Sequence, residues 1–282
     1  MPNHRSDKVS WFELLHTYDP ESSVSKAISA IQHLRAVCIG MIDAKRRELE
    51  LDGSDENDIV KMLILANKAA GLTDEDIIDD LVVVYFVVDN MVKQLSALFI
   101  ELANHKDVLT KLKQEITDNP ITEYASVDKL VYTEQVIKES LRLDPTLQKS
   151  IRHIKKAEWL GDYFLPGKGG VLTSQWVQHR QERYFENAKV FNPDRWAPDA
   201  PAPDRFAYFP FIAGPRQCLG MHMAGMCMKL ILSNLLTHFD MNPVPEADLK
   251  SPVRKVNHLV VLRIYNGPYY DFKTKPVHKL EK

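Results

Sequence analysis

Residues Phe211–Gly220, which read FIAGPRQCLG, decide the fold prediction because they place a cysteine between two glycines directly before an apolar helical run. A thiolate at Cys218 would lie at a helix amino terminus, where unpaired backbone N–H groups and the helix dipole stabilise negative charge. Gly214 and Gly220 let the backbone turn and approach a flat group closely, and Arg216 supplies a fixed cation. The pattern favours a metal-bound thiolate, although an isolated cysteine at a helix start is more often a buried structural residue.

Apolar residues elsewhere recur at three- and four-residue spacing, which is typical of amphipathic helices. The predicted helices run over about Ser25–Leu51, Ile59–Ala70, Asp74–Asn104, Lys106–Thr117, two stretches within Ser126–Leu143, and Gly220–Phe239. Short strands are predicted between residues 150 and 175 and at Val256–Tyr265, with an aperiodic meander from Asn192 to Pro215. The sequence therefore predicts a mainly α fold with a small β-sheet, of the α+β class.

The longest predicted helix, Asp74–Asn104, is apolar nearly all round in its first half. It begins with a capping pattern, Thr73 followed three residues later by Asp76. A helix without a polar face is buried on all sides, so Leu81–Val88 is expected to run through the middle of the fold. If part of the surrounding fold is absent, the same apolar residues are instead exposed and favour aggregation.

Length and composition limit the classes of protein that the chain can belong to. Its 282 residues suffice for one large domain or two modest ones, and 45% apolar with 26% charged residues is typical of a globular protein. The 36 basic and 38 acidic residues give a formal net charge of −2 with no dense basic block. We therefore expect no nucleic-acid partner.

Cysteine usage and hydropathy bear on the compartment. The three cysteines are odd in number and too sparse for a disulfide framework, which favours reduced thiols. The longest apolar run, Leu81–Val88, is far shorter than the roughly 20 residues that span a bilayer. No transmembrane segment or signal peptide is expected, so the chain is predicted to be cytoplasmic or peripheral to a membrane.

The cysteine loop resembles the Phe-x-x-Gly-x-Arg-x-Cys-x-Gly heme-ligand signature of the cytochrome P450 monooxygenases. Phe211, Gly214, Arg216, Cys218 and Gly220 match all its fixed positions. Such a match arises by chance on the order of once in ten thousand chains of this length, given ordinary residue usage. The resemblance implies that Cys218 is the axial thiolate of a heme iron and that the other four residues form the cofactor-binding loop around it.

Two further segments resemble the same family. Glu139 and Arg142 match the Glu-x-x-Arg pair, and the sequence FNPDRW at Phe191–Trp196 matches the segment whose arginine, here Arg195, completes that network. Taken alone, Glu139 and Arg142 are more typical of a solvated helix pair. The resemblance implies instead a structural network of Glu139, Arg142 and Arg195.

The resemblance also assigns residues around the cofactor. Arg152 and Arg216 lie where the family places arginines for the heme propionates, and arginine binds carboxylates bidentately. Asp89 and Asn90 match the acid and the alcohol that relay protons to bound oxygen, with asparagine in place of threonine. Val87 replaces the family's glycine and adds bulk over the iron.

The similarity covers only the back part of the family fold. It runs from about Ser25 to Ile264, and it is strongest toward the sterol side-chain hydroxylases of the cholesterol 24-hydroxylase type. It divides the chain into an uncertain segment 1–24, a partial heme-thiolate cytochrome domain 25–266 and a polar tail 267–282. The predicted fold is therefore a truncated, carboxyl-terminal part of the cytochrome P450 fold.

The function that the resemblance implies is hydroxylation of a lipophilic substrate, with sterols favoured, in lipid or sterol metabolism. This oxidoreductase reaction inserts one oxygen atom of O2 and takes two electrons from an NADPH-dependent reductase. The family typically resides at the endoplasmic reticulum membrane.

Other readings remain open at this stage. A heme-thiolate isomerase or peroxide-rearranging enzyme needs no proton relay and tolerates Asn90. A truncated, non-catalytic relative would explain the missing front of the fold. Cys218, His222 and Cys227 carry zinc-ligand side chains, but Cys227 lies on the opposite helix face from Cys218, which argues against a closed zinc site.

Overall fold

The computed structural model describes residues 22–50, 58–243, 254–258, 261–265 and 270–275. Residues 1–21, most of the segment expected to precede the domain, lie outside this range. The chain divides into two compact units, Met1–Val88 and Asp89–Lys282, which are described separately.

The first unit contains the helices α1 (Ser23–Glu50) and α2 (Ile59–Ala70) and the beginning of α3 (Asp74–Asn104), which continues into the second unit. Helix α2 begins at Asp58, whose carboxylate accepts two backbone N–H groups of the first turn. It ends at Gly71, whose φ of +69° is one that glycine adopts without strain. The bounds of α2 and α3 confirm the predicted ones.

The core of the first unit is small. Its buried apolar residues are Cys38, Ile42, Val60, Ile64, Ile77, Ile78 and Leu81. Exposed ion pairs connect α1 to the first turns of α3, where Arg35 contacts Glu75 and Asp79. Such exposed pairs contribute little stability, so the unit depends on its apolar contacts.

The expected burial of Leu81–Val88 is wrong for the last six of these residues. Leu81 is buried, but Val83–Val88 are between 37% and 62% exposed. A helix that is apolar all round is buried only where neighbouring elements surround it. The described residues of this unit leave Val83–Val88 uncovered, which is the exposed arrangement that the sequence analysis named as its alternative.

Among the described residues, two helices are long and apolar enough to cross a membrane, judged by length and composition only: Ser25–Leu49 within α1, and α3. The longest uninterrupted apolar run had predicted no such segment. A core helix of a soluble protein passes the same test, so the finding assigns neither helix to a bilayer.

The second unit is also mainly helical. After α3 it contains α4 (Lys106–Asp118), a 3₁₀ helix (Tyr124–Lys129), α5 (Val131–Leu143), the short α6 (Gln175–Gln178) and α7 (Met221–His238). Glu115 of α4 caps α5, because its carboxylate accepts the backbone N–H groups of Tyr132 and Thr133. The fold class is the predicted one, mostly helical with small sheets.

In the described part of the chain, the strands form four two-stranded antiparallel pairs. These are β1 (Lys149–His153) with β4 (Gly170–Ser174), β2 (Glu158–Leu160) with β3 (Tyr163–Leu165), β5 (Phe239–Pro243) with β8 (Tyr270–Thr274), and β6 (Arg254–His258) with β7 (Val261–Tyr265). The single strand predicted at Val256–Tyr265 is wrong, because both strands of a hairpin show the same alternation as one long strand. Strand β8 lies within the segment expected to be a polar tail.

The core of the second unit forms where α3, α4, α5 and α7 pack together. Its most buried members are Leu98, Leu102, Leu112, Ile116, Leu130, Val136, Met228, Leu232, Leu236 and Met241. This packing fixes α5, which carries Glu139 and Arg142, and α7, which directly follows the Cys218 loop.

Candidate functional site

A fully buried carboxylate lies at the centre of the second unit. Glu139 of α5 accepts hydrogen bonds from Arg142 at 2.8 and 2.9 Å and from Nε of Arg195 at 3.0 Å. It also accepts the indole N–H of Trp196 and the backbone N–H of Asn192, both at 2.9 Å. The predicted network of Glu139, Arg142 and Arg195 therefore forms, and it ties α5 to the meander.

Arg142 extends this network to the backbone. Its guanidinium, which is also fully buried, donates to the carbonyl oxygens of His179, Ala188 and Val190 at 2.6–3.1 Å. Burial alone would raise the pKa of Glu139, but the hydrogen bonds and charge of Arg142 outweigh it and leave that pKa lowered. The pair is thus ionised and saturated with hydrogen bonds, as a buried ion pair must be.

The imidazole of His179 is buried beside this network. Its Nδ1 donates to the carbonyl oxygen of Arg142 at 3.2 Å, and its Nε2 accepts the backbone N–H of Phe209 at 3.0 Å. Burial lowers the pKa of His179 to about 4, and the charge of Arg142 acts in the same direction. The ring is therefore neutral and has a defined tautomer.

The predicted cysteine loop follows Phe209. The backbone N–H of Cys218 donates to the carbonyl oxygen of Phe211 at 3.0 Å, which closes the loop. Gly214 has φ +77°, which requires glycine, whereas Ile212 has φ +64°, a strained value for a β-branched residue. Strain of this kind persists where the surrounding structure imposes it, and it is common at functional sites.

Cys218 stands just before α7, as predicted. Its side chain is only partly buried, its neighbour Leu219 is fully exposed, and the helix begins at Gly220 without a side-chain cap. The first N–H groups of α7 are therefore not capped by a side chain, next to the thiol. A Cβ atom added at Gly220 would lie 3.9 Å from the Cys218 sulfur, an ordinary contact, so crowding alone does not require glycine there.

The two predicted propionate arginines are exposed. Arg152 lies on β1, where its guanidinium donates to the carbonyl oxygen of Ile151, and Arg216 ends the short 3₁₀ helix Gly214–Arg216. Within the described ranges, neither guanidinium forms an ion pair with a carboxylate. Ile151 and its cross-strand partner Leu172 expose apolar surface on the opposite face of the hairpin from Arg152.

The predicted proton-relay residues lie on an exposed part of α3. The carboxylate of Asp89 pairs with Lys93 one helical turn further on. The backbone carbonyl oxygen of Asn90 accepts the hydroxyl of Thr146 at 3.2 Å. Gln94 adds to this attachment, since its amide oxygen accepts the backbone N–H of Thr146 at 3.2 Å and shares the same hydroxyl proton at 2.9 Å.

The chain matches the cytochrome P450 family over residues 3–268. The chain belongs to this family. The buried Glu139–Arg142 pair and the glycine-flanked Cys218 loop both lie within the matched residues.

Individual P450 relatives agree with this assignment. The chain is 33% identical over 215 residues to cytochrome P450 4d2 of Drosophila melanogaster, covering 73% of this chain and 41% of the relative. It is 32% identical over 181 residues to the mitochondrial 25-hydroxyvitamin D-1 alpha hydroxylase of Homo sapiens, covering 62% and 35%. The solved structure of retinoic acid bound cyanobacterial CYP120A1 superposes with a TM-score of 0.77 at 22% identity, covering 91% of this chain and 59% of that chain. The chain thus spans less than half the length of these two curated relatives.

P450 enzymes bind heme through a cysteine thiolate. The residues described above fit that group: Cys218 offers a partly exposed sulfur, and Arg152 and Arg216 offer exposed cations without a carboxylate partner in the described ranges. No three metal-ligating side chains come together among the described residues, so Cys218 with His222 and Cys227 does not form a three-ligand site there.

Sequence reasoning missed several functional neighbours. Trp196 and the backbone of Asn192 bind Glu139, and His179 joins Arg142 to Phe209. Trp196 lies inside the FNPDRW segment, which was a usable signal. No sequence signal marks His179, because spacing does not reveal two backbone partners that lie 37 and 30 residues away.

We predict that Glu139→Gln lowers the free energy of unfolding by about 3–5 kcal/mol, because it leaves the buried Arg142 cation without its counter-charge. Asp194→Asn is the matched control in the same meander, since Asp194 forms an exposed pair with Lys111. That change is expected to cost less than about 1 kcal/mol. Urea unfolding of the three proteins measures both values, and equal effects of the two substitutions would contradict the role given to Glu139.

We predict that His179 makes the chain acid-sensitive. Since burial lowers its pKa from 6.5 to about 4, the unfolded chain takes up a proton that the folded chain refuses in this window. The resulting stability is present above about pH 6.5 and lost toward about pH 4, by roughly 3 kcal/mol. Urea unfolding across this range should show a shallower pH slope for His179→Gln; identical slopes would rule the effect out.

Proposed function

We propose that this chain is the heme-binding part of a P450 monooxygenase that hydroxylates a lipophilic substrate. The observation that carries the proposal is the closed Cys218 loop, which follows the meander held by Glu139 and Arg142. A loosely held loop would not keep a sulfur at a fixed place. This loop follows a meander whose first residues are bound to a fully buried ion pair.

Each residue of the proposed site has a separate task. Cys218 would be the axial ligand of the iron, with Phe211, Gly214 and Gly220 shaping its loop. The exposed guanidinium groups of Arg152 and Arg216 would bind the propionate carboxylates. When bound, the heme supplies the activation of O2 and the insertion of one oxygen atom into a C–H bond, with two electrons from an NADPH-dependent reductase.

Asp89 and Asn90 would form the proton relay to bound oxygen. The carboxylate of Asp89 is exposed to solvent and paired with Lys93. Thr146 holds this part of α3 in place, because its hydroxyl donates to the backbone carbonyl oxygen of Asn90 and to the amide oxygen of Gln94, both on α3. Asn90 would order a water by donating and accepting hydrogen bonds.

We infer a sterol as the substrate class on narrower grounds. The segments Phe191–Trp196 and Ala202–Phe211 resemble the cholesterol 24-hydroxylase type. One relative is named as a 25-hydroxyvitamin D-1 alpha hydroxylase. Association with a membrane is proposed on the same basis, since a lipophilic substrate is concentrated there.

The test of the proposed site is the absorption spectrum of the purified chain with heme, reduced and exposed to carbon monoxide. We expect one heme per chain and a red-shifted, thiolate-type band, because Cys218 is the sulfur at the loop. Cys218→Ala should lose this band, and Cys227→Ala is the matched control that should keep it. A band that survives in Cys218→Ala, or no heme uptake by the unmodified chain, would refute the proposal.

A second candidate, a peroxide-rearranging heme-thiolate enzyme, is favoured by two observations on α3. Val87 stands at the family's glycine position, where it would narrow the space for oxygen, and the carboxylate of Asp89 forms an ion pair with Lys93, which would alter proton delivery. Turnover of a lipid hydroperoxide without reductant would support this candidate. Sterol hydroxylation that requires the reductase and O2 would support the first.

A further inference from the structure

The side chain of His179 bridges two backbone groups that are distant in sequence. Its Nδ1 donates to the carbonyl oxygen of Arg142, at the end of α5, and its Nε2 accepts the N–H of Phe209. The residue is fully buried, and its own carbonyl oxygen accepts a hydrogen bond from the Arg142 guanidinium at 2.8 Å. His179 and Arg142 therefore hold each other through both backbone and side chain.

Phe209 is the residue at which the cysteine loop begins to turn. Its carbonyl oxygen accepts the N–H of Ile212 at 3.0 Å, and Ile212 has the strained φ of +64°. Phe211, inside this turn, accepts the N–H of Cys218. A strained turn keeps its conformation only where its ends are fixed, and the N–H of Phe209 is fixed by His179.

Neighbouring groups hold the same point. The hydroxyl of Tyr208 donates to the carbonyl oxygen of Lys138 at 3.2 Å, again on α5. The rings of Tyr208 and Phe209 lie 5.3 and 5.4 Å from the His179 ring, centroid to centroid. The start of the loop is thus attached to α5 by two hydrogen-bonded side chains, of which only His179 reaches Phe209 itself among the described residues.

We propose that His179 is a positioning residue for Cys218, which holds the strained turn Phe209–Ile212 against α5 and so fixes the loop that presents the thiol. This inference rests on the proposed function, since that function assigns the ligand role to Cys218. His179 does not contact Cys218 and acts through Phe209 and Phe211.

Two substitutions of His179 test its two side-chain hydrogen bonds, to Arg142 and to Phe209, one at a time. Asparagine can place its amide N–H near the position of Nδ1 and keep the bond to Arg142, but it is too short to reach Phe209. Glutamine can place its carbonyl oxygen near the position of Nε2 and keep the bond to Phe209. His105→Asn is the matched control, because His105 also bonds a backbone carbonyl, that of Glu101, but does not join the loop.

The measurement is backbone hydrogen exchange of the Phe209–Cys218 segment, together with the rate at which a thiol reagent labels Cys218, both on the purified chain without heme. His179→Asn should raise both rates by about tenfold, the effect of losing one hydrogen bond. His179→Gln and His105→Asn should leave them near the unmodified values. Peptide mapping separates Cys218 from Cys38 and Cys227.

Two results would overturn the proposal. One is unchanged exchange and labelling in His179→Asn, which would mean that Phe209 does not need the bond. The other is faster exchange of equal size throughout α5 and α7, which would mean that His179 stabilises the whole unit and does not position the loop.

Carbon monoxide spectra of the heme-loaded protein distinguish a failure of this inference from a failure of the proposed function. If the unmodified chain gives the thiolate-type band, His179→Asn should shift the carbon monoxide spectrum toward a non-thiolate band and His179→Gln should not. If the unmodified chain gives no such band, the proposed function fails, while hydrogen exchange still decides whether His179 holds the loop.

Discussion

The buried charge pair of Glu139 and Arg142 is the interaction on which the second unit depends. Both side chains are fully excluded from solvent, so neither charge is tolerable without the other. Their hydrogen bonds reach Arg195, Trp196 and Asn192 on one side, and three backbone carbonyl groups on the other. Because these partners run from His179 to Trp196, the pair fixes the segment that enters the meander and the first residues of the meander itself, which leads into the Cys218 loop.

The exposed part of α3 shows the opposite situation. Val83–Val88 are apolar around the whole helix, yet the described residues of the first unit do not cover them. The chain spans 41% of cytochrome P450 4d2 and 35% of the vitamin D hydroxylase. Apolar surface of this kind normally marks an interface or an aggregation site. At Val83–Val88 the described structure therefore exposes apolar side chains that the sequence pattern predicts to be buried.

Much of the fold and site followed from the sequence because the signals were local. The spacing in Phe211–Gly220 located the thiol, and the periodicity located α2 and α3 with their bounds. What the sequence did not show was long-range: the indole of Trp196 on Glu139, the imidazole of His179 on Phe209, and the division of Val256–Tyr265 into two paired strands. Each of these contacts depends on which residues distant in sequence lie close together in the fold, and hydrophobic periodicity does not identify those pairs.

The central claim is that Cys218 presents its sulfur to a heme iron. The most direct measurement is X-ray absorption at the iron edge of the heme-loaded chain, with Cys218→Ser for comparison, because it identifies the atoms bound to the metal. Our account predicts one sulfur neighbour of the iron in the unmodified chain and none in the variant. An iron surrounded only by nitrogen and oxygen in the unmodified chain would contradict the account.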